Sequence, residues 1–294
     1  MNETAEPEVA PPAEPGSELD AGGPDGVTRS TRAASWAAFR AMLLRDFTVL
    51  DKQLAQFVSA TVMQPLMLVF VLTYVFPKIG QAIGGAGGSA RFSSLLMAGL
   101  VAQAIIFFGI FNVGMDLVRE FNVTGELEDR VLAPTPVSIV AVEKIVAGGL
   151  VGLFTGMVVF PVAAFVPATP VYLDVNLALL ATIAPLTCLM AAAIGLTLGS
   201  FFNPRTASYL FGVVALPLSF LGAIFYSWSS LDPIPWLKYA LLANPLVYAS
   251  EGLRAALVAG EPHLSLVAVY AALIAFTVLF TAVGIRIFKR RVLT

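Results

Sequence analysis

The chain predicts an all-α polytopic membrane protein of six transmembrane helices, and three observations carry that prediction. Six stretches, 53–77, 92–115, 145–173, 175–204, 206–231 and 264–285, contain no Asp, Glu, Lys, Arg or His. Each is long enough to cross a hydrocarbon core of about 30 Å, which takes about 20 helical residues. In lipid a helix is the only single segment that satisfies its own backbone N–H and C=O groups. The composition agrees, with 58% hydrophobic and 12% charged residues and a mean hydropathy of +0.85, far from the balance of a soluble domain. Third, the bases are asymmetric once six spans are laid out. With the N-terminus inside, thirteen Lys and Arg fall on the cytoplasmic side and four, Lys78, Arg91, Lys238 and Arg254, fall outside. Positive loops stay in the cytoplasm, so the expectation is a multi-pass protein of the cell (inner or plasma) membrane with both termini cytoplasmic.

Residues 1–33 precede the membrane domain, which is taken as 34–294. The first 28 hold seven acids (Glu3, Glu6, Glu8, Glu14, Glu18, Asp20 and Asp25) and no base. Rich in Pro, Gly, Ala and Glu, this segment cannot bury enough apolar surface to offset its ordering entropy, and a disordered acidic cytoplasmic tail is expected. It lacks the basic start and apolar core of a cleavable secretory signal. Without those acids the overall charge of -2 becomes +5.

Next comes an apolar stripe at steps of three or four residues: Trp36, Phe39, Leu43, Phe47, Leu50, Leu54 and Phe57. Arg45 and Lys52 fall on the opposite face, while Arg40, Asp46 and Asp51 flank the apolar one. That pattern predicts an N-terminal amphipathic interface helix at the headgroup level; the alternative is the start of a long first span. The first outer loop, 77–91, holds Gly80, Gly84, Gly85, Gly87 and Gly88 and predicts a short flexible turn. In span three Gly148, Gly152 and Gly156 recur every fourth residue, as do Ala191, Gly195 and Gly199 in span four, the spacing that lets helix backbones approach closely. Pro65, Pro161, Pro185 and Pro217 fall inside spans, where kinks are expected. The only cysteine, Cys188, lies in an apolar span and reads as a small buried side chain.

The outer segment between spans five and six, roughly 228–263, is too long for a turn. Tyr239 to Ser250 is an apolar piece of twelve residues between Lys238 and Glu251, a length that suits a re-entrant or interfacial helix. Asn244-Pro245 in its middle predicts a break, since proline removes a helical donor. Tyr226, Trp228, Trp236 and Tyr239 are expected to form an outer aromatic belt.

No catalytic constellation appears, so no enzyme is expected. The single histidine, His263, sits at the edge of span six, which removes Ser/His, Cys/His and His-rich metal chemistry. No acid or base is read at mid-depth in any span, whereas ion-coupled transporters usually need one. No lysine follows a glycine, so a phosphate-binding G-x-x-x-x-G-K-[ST] loop is missing, and any ATP hydrolysis falls to another chain. No nucleic-acid partner is expected.

The most informative polar segment is the cytoplasmic connection Val118 to Val137, V-R-E-F-N-V-T-G-E-L-E-D-R-V-L-A-P-T-P-V, with Lys144 at the head of the next span. Thr124 can cap a short helix whose first turns hold Glu126, Glu128 and Asp129, and Pro134 stops it. Leu127 and Val131 share one face of that helix. A short charged helix with an apolar ridge suits docking into a groove on a partner; an ordinary solvated loop is the other reading.

Arg119-Glu120, then Gly125-Glu126-Leu127-Glu128, Pro134-Thr135-Pro136 and Lys144, resembles the E-x-G-T-L-E...P...K loop of type-2 ATP-binding-cassette (ABC) exporter permeases, the drug-resistance and nodulation-factor exporter class. Phe225-Tyr226-Ser227, Ile234-Pro235-Trp236-Leu237, Asn244-Pro245-Leu246 and Arg254 resemble the same family's outer F-Y-S...P-x-W-L...N-P-L...R stretch. The likeness covers about 34–291. It departs where Trp236 directly follows Pro235, where Glu126 stands at a position often Thr, and where extra residues separate Glu120 from Gly125.

The resemblance implies the permease subunit of an ATP-driven exporter that pairs with a second permease copy or a homologous permease and binds a separate ABC ATPase. This chain would bind no cofactor or metal, and the partner would use ATP and Mg. On that basis 124–132 is the coupling helix, with Gly125, Glu126, Leu127, Glu128, Arg130 and Val131 at the ATPase, braced by Arg40 and Arg45. Spans one and five would line the export path across the dimer, and Asn244, Pro245 and Arg254 would belong to its outer gate. Gln64, Gln103, Phe107, Phe111 and Phe220 are candidates for that path, with Phe108 and Phe225 nearby. An aromatic, uncharged route favours a drug, lipid or glycolipid over a long polysaccharide. The competing readings are a secondary transporter or channel that needs no ATP, and a non-transporting assembly or signalling protein.

Overall fold

The computed structural model describes residues 36–46, 48, 52, 54–79, 85–121, 136–167, 171–202, 212–214, 217–218, 220–258 and 260–293. Among them the regular structure is helical throughout, with no strand. Helix α1 covers 36–46, with Phe39 and Leu43 of its apolar stripe half-buried and Trp36 72% exposed. Helix α2, Leu54–Val69, widens into a π-helical stretch, Phe70–Val75, and ends in the turn Phe76–Lys78. The Thr73 hydroxyl, buried in that stretch, donates to the Val69 carbonyl at 2.8 Å.

Three long helices form the centre: α3 (Gly85–Arg119), α4 (Val137–Phe165) and α5 (Leu177–Phe201). Helix α5 starts where Asn176 caps it, its Oδ1 accepting from the Leu179 N–H at 3.2 Å, and it runs through Pro185, as α4 runs through Pro161. After short 3-10 turns come α6 (Pro235–Ala240) and α7 (Pro245–Leu257), then α8 (Leu266–Leu293).

Among the described residues five helices are long and apolar enough to cross a membrane: Phe57–Lys78, Arg91–Arg119, Val137–Phe165, Leu177–Phe201 and Leu266–Val292. They correspond to spans one, two, three, four and six. Of the fifth expected span, 206–231, residues 206–211, 215–216 and 219 lie outside the described residues. Its described part is helical at 212–214, 217–218 and 220, but the chain turns from Leu221 onward and does not continue as a helix to 231. Two other boundaries differ from expectation. Gly85, Gly87 and Gly88 are not in a turn but in the first turn of α3. Lys144 is not at the head of a span: α4 starts at Val137, so Glu143 and Lys144 lie two turns inside it and are buried.

Helix α5 is the axis of the bundle, packed against α3, α4, α7 and α8, with α2 on the outer side of α4. The small residues on these helices sit where backbones meet. A Cβ on Gly195 would lie 2.7 Å from the Ile110 carbonyl oxygen, and one on Gly199 2.6 Å from that of Gly114. On α4 the Gly156 position faces Ile105 and the Gly152 position faces Cys188. Cys188 is buried among them. Away from this centre, α8 turns Val267, Ile274, Val278 and Leu279 outward, a surface fit for lipid.

Candidate functional site

Helix direction alternates along the bundle, so the N-terminus of α3 shares an end with the C-terminus of α7 and the start of α8. Arg91 and Glu261 pair there, with Arg91 Nε 2.7 Å from Glu261 Oε1. At the same end the Tyr172 N–H donates to Ser94 Oγ, and the amides of Asp174 and Asn176 donate to Leu257 and Ala256 carbonyls.

The outer-gate candidates converge on this end. The helix break expected at Asn244-Pro245 is present: Asn244 is extended (φ -91, ψ 116) and Pro245 opens α7. That placement suits proline, whose missing N–H is one of the free donors of a first turn. Asn244 Oδ1 caps α7 by accepting from the Leu246 N–H at 2.9 Å, and its Nδ2 donates to the Leu218 carbonyl at 2.9 Å. One side chain thus ties α7 to the segment that leads into it.

Two turns later Arg254 is fully buried with its Nη1 on Glu251 Oε1. Its Nη2 donates to the carbonyls of Ala223 (2.9 Å) and Tyr226 (3.3 Å). Burial pulls the guanidinium below its ordinary pKa, and the Glu251 carboxylate pulls it back up. Ser250 Oγ donates to the Gly222 carbonyl at 2.7 Å, so α7 holds the whole 222–226 turn. Ala223 takes a left-handed φ of 52 there, a conformation that a Cβ disfavours. The turn lies hard against α3, where a Cβ on Gly99 would meet the Ile224 backbone.

Of the aromatic belt, Trp236 and Tyr239 are 73% and 68% exposed. Trp228 instead folds inward, its Nε1 donating to the Lys238 carbonyl at 2.9 Å, with the Lys238 ammonium 3.9 Å above the ring centroid. The Tyr226 hydroxyl bonds the Phe220 carbonyl at 3.1 Å.

At the other end Lys144 is a hub. Its Nζ lies 2.8 Å from Glu120 Oε1 and 3.6 Å from Asp46 Oδ2, which links α4 to the residue following α3 and to α1. Arg291 near the end of α8 caps α5: its Nη1 donates to the carbonyls of Gly199, Ser200 and Phe202. The same guanidinium lies 4.5 Å from the Phe121 ring centroid. Arg40 and Arg45 are both exposed on α1 at this end. Gly125, Glu126, Leu127, Glu128, Arg130 and Val131 lie outside the described residues, between Phe121 and Pro136.

The path candidates lie on α2, on α3 and at Phe220, before the 222–226 turn. Phe107 and Phe111 stack on α3 with centroids 6.1 Å apart, and Phe108 packs on Phe57 of α2. Gln64 is exposed on α2 beside Met63 and Met67, Gln103 is half-buried, and Phe220 is 63% exposed next to Phe225.

Sequence reasoning missed Glu251, treated only as a boundary, and Asp46 as a partner of Lys144. An acid and a base at i, i+3 inside an otherwise apolar helix was the available signal for Glu251, since buried charges are found paired.

The family described as ABC-2 type transporter matches residues 37–258, which takes in α1 from its second residue, the three central helices, Lys144 with Glu120 and Asp46, and Glu251 with Arg254. The chain belongs to the ABC-2 type transporter family. It is also 27% identical to inner membrane transport permease YadH of Escherichia coli (strain K12) over 233 residues, 78% of this chain and 88% of that protein, and equally to YadH of Escherichia coli O157:H7 and of Shigella flexneri. An ABC-2 permease is the membrane subunit of an ABC transporter, a transport component that normally works with an ABC ATPase subunit.

Proposed function

We propose that this ABC-2 permease is the membrane half of an ATP-driven exporter in the inner membrane, moving a hydrophobic or amphipathic molecule (a drug, lipid or glycolipid) out of the cytoplasm or inner leaflet. A separate ABC ATPase, using ATP and Mg, supplies the energy, and a second permease copy or homologue completes the path. The observation that carries this reading is the extent of the family match, 37–258, which runs from α1 through α7 and includes the connection between α3 and α4.

In this reading Gly125, Glu126, Leu127, Glu128, Arg130 and Val131 form the surface on which the ATPase acts, with Arg40 and Arg45 bracing it. Their support is position: Phe121 and Pro136 bracket the connection at the end where Lys144 joins α1, α3 and α4. Asn244, Pro245 and Arg254 belong to the outer closure, supported by the bonds that gather 218–226 onto α7. Gln64, Gln103, Phe107, Phe111 and Phe220 are the path candidates, of which Gln64 and Phe220 have the exposure a path needs.

Affinity purification of the tagged chain from its own cells tests the reading. The expected result is co-purification of a P-loop ATPase, no ATP hydrolysis by the chain alone, and ATP-dependent movement of NBD-labelled phospholipid or an amphipathic dye in proteoliposomes of the complex. Transport driven by an ion gradient with no ATPase bound overturns it.

A further inference from the structure

The Glu251 carboxylate is buried completely and accepts from three separate pieces of chain. Its Oε1 takes the Trp228 N–H at 2.9 Å and Arg254 Nη1, and its Oε2 takes the Leu264 N–H at 2.9 Å. Trp228 precedes α6, Arg254 lies on α7, and Leu264 stands just before α8. Arg254 extends the junction to the carbonyls of Ala223 and Tyr226. Two of the three donors are backbone amides, which have no rotamers with which to follow a moving acceptor.

We propose that Glu251 is the positioning residue of the outer segment: its carboxylate joins the turn at Trp228, helix α7 and the head of α8 into one body, so that they shift together during the transport cycle. The role in transport rests on the exporter reading; the joining itself does not. A buried carboxylate severed from its partners is left as an uncompensated charge, so each contact holds the others in place. A glutamine offers a single acceptor oxygen and turns its NH2 toward one of the donors.

Hydrogen exchange on the full chain, in lipid nanodiscs and in complex with the ATPase that co-purifies, tests this. In the unaltered protein the Trp228 and Leu264 amides are expected to exchange slowly and at rates within about threefold of each other. Addition of Mg with a non-hydrolysable ATP analogue is expected to move both in the same direction. In Glu251→Gln both amides are expected to exchange at least about tenfold faster, with the α5 amides unchanged, and their responses to nucleotide to separate. Arg254→Lys, which keeps the charge and both Glu251–amide bonds, is expected to leave Trp228 and Leu264 slow. Rates in the unaltered protein that differ by more than tenfold, or a Glu251→Gln effect confined to one amide, overturn the joining. A concerted nucleotide response that survives Glu251→Gln overturns the positioning role. Absence of any ATPase, or of any nucleotide response in the unaltered protein, sinks the exporter reading and with it the role in transport, while the comparison without nucleotide still decides the joining.

Discussion

Alanine at Gly195 places a methyl 2.7 Å from the Ile110 carbonyl oxygen and 3.0 Å from that of Gly109. Ordinary contact begins at 3.4 Å, so α3 and α5 must separate by about 0.7 Å. Neither can yield by a side-chain rotation, because the obstructing atoms are backbone. Overpacking of this kind costs about 1–3 kcal/mol, and two close carbonyls put the site near the upper end. Replacing a helical glycine with alanine returns about 1 kcal/mol of intrinsic propensity. The net expectation is a loss of about 2 kcal/mol. Gly212 supplies the opposite case, since it is helical and a Cβ there meets nothing within 4 Å, so Gly212→Ala is expected to keep the propensity gain and lose nothing. Reversible SDS unfolding in mixed micelles, followed by tryptophan fluorescence, measures both variants. Opposite signs are expected, with Gly199→Ala grouping with Gly195→Ala because its Cβ would meet the Gly114 backbone at 2.6 Å. A Gly195→Ala protein as stable as the parent refutes the backbone-contact reasoning.

Lys144→Met removes the cation shared by Glu120 and Asp46 and is expected to cost about 3 kcal/mol in the same unfolding assay. Adding Glu120→Gln to it is expected to recover part of that loss, as removal of both partners of a pair does. Asn244→Ala deletes a helix cap worth about 1 kcal/mol and a tether to the Leu218 carbonyl worth about as much, and should lower the thermal midpoint accordingly; Asn244→Asp keeps the cap and should lose about half. Ala223→Gly relieves the left-handed φ by about 1 kcal/mol but loosens the unfolded chain by a similar amount, so near-neutral stability is expected. Ala223→Val, β-branched at a fully buried left-handed position, is expected to be strongly destabilised.

Five of the six expected spans were legible because lipid imposes a rule on sequence: runs without charge, about 20 residues long. The same rule misplaced the start of α4, since a count of charges stops at Lys144. The helix passes it because Glu120 and Asp46 come from other helices to meet it, a pairing that only the fold creates. The end of the fifth charge-free stretch misled in the opposite sense. Nothing in 221–226 is charged, yet the chain turns there because Arg254 and Ser250 offer donors to its carbonyls and Asn244 holds the Leu218 carbonyl just before it. The break at Asn244-Pro245 was legible because proline acts locally. For Glu251 only the pairing with Arg254 was legible; the junction was not, because its two other partners are backbone amides, and every residue but proline has one.

The two polar clusters differ in kind, and the difference has a mechanical consequence. Lys144 reaches its partners through long side chains, at 2.8 and 3.6 Å, and Asp46 keeps 28% of its side-chain surface exposed. Such a hub can follow a small displacement of α1 by changing rotamers. Glu251 is held to backbone amides in full burial and cannot follow without losing a bond. Between the two lies the α3–α5 contact, where glycines bring backbone against backbone at Gly195 and Gly199 and leave no side-chain layer to absorb strain. Packed interiors of this kind transmit strain. A displacement applied at the Lys144 end is therefore adjustable where it enters, stiff along α3 and α5, and resisted as a unit where α7 and the head of α8 meet Glu251.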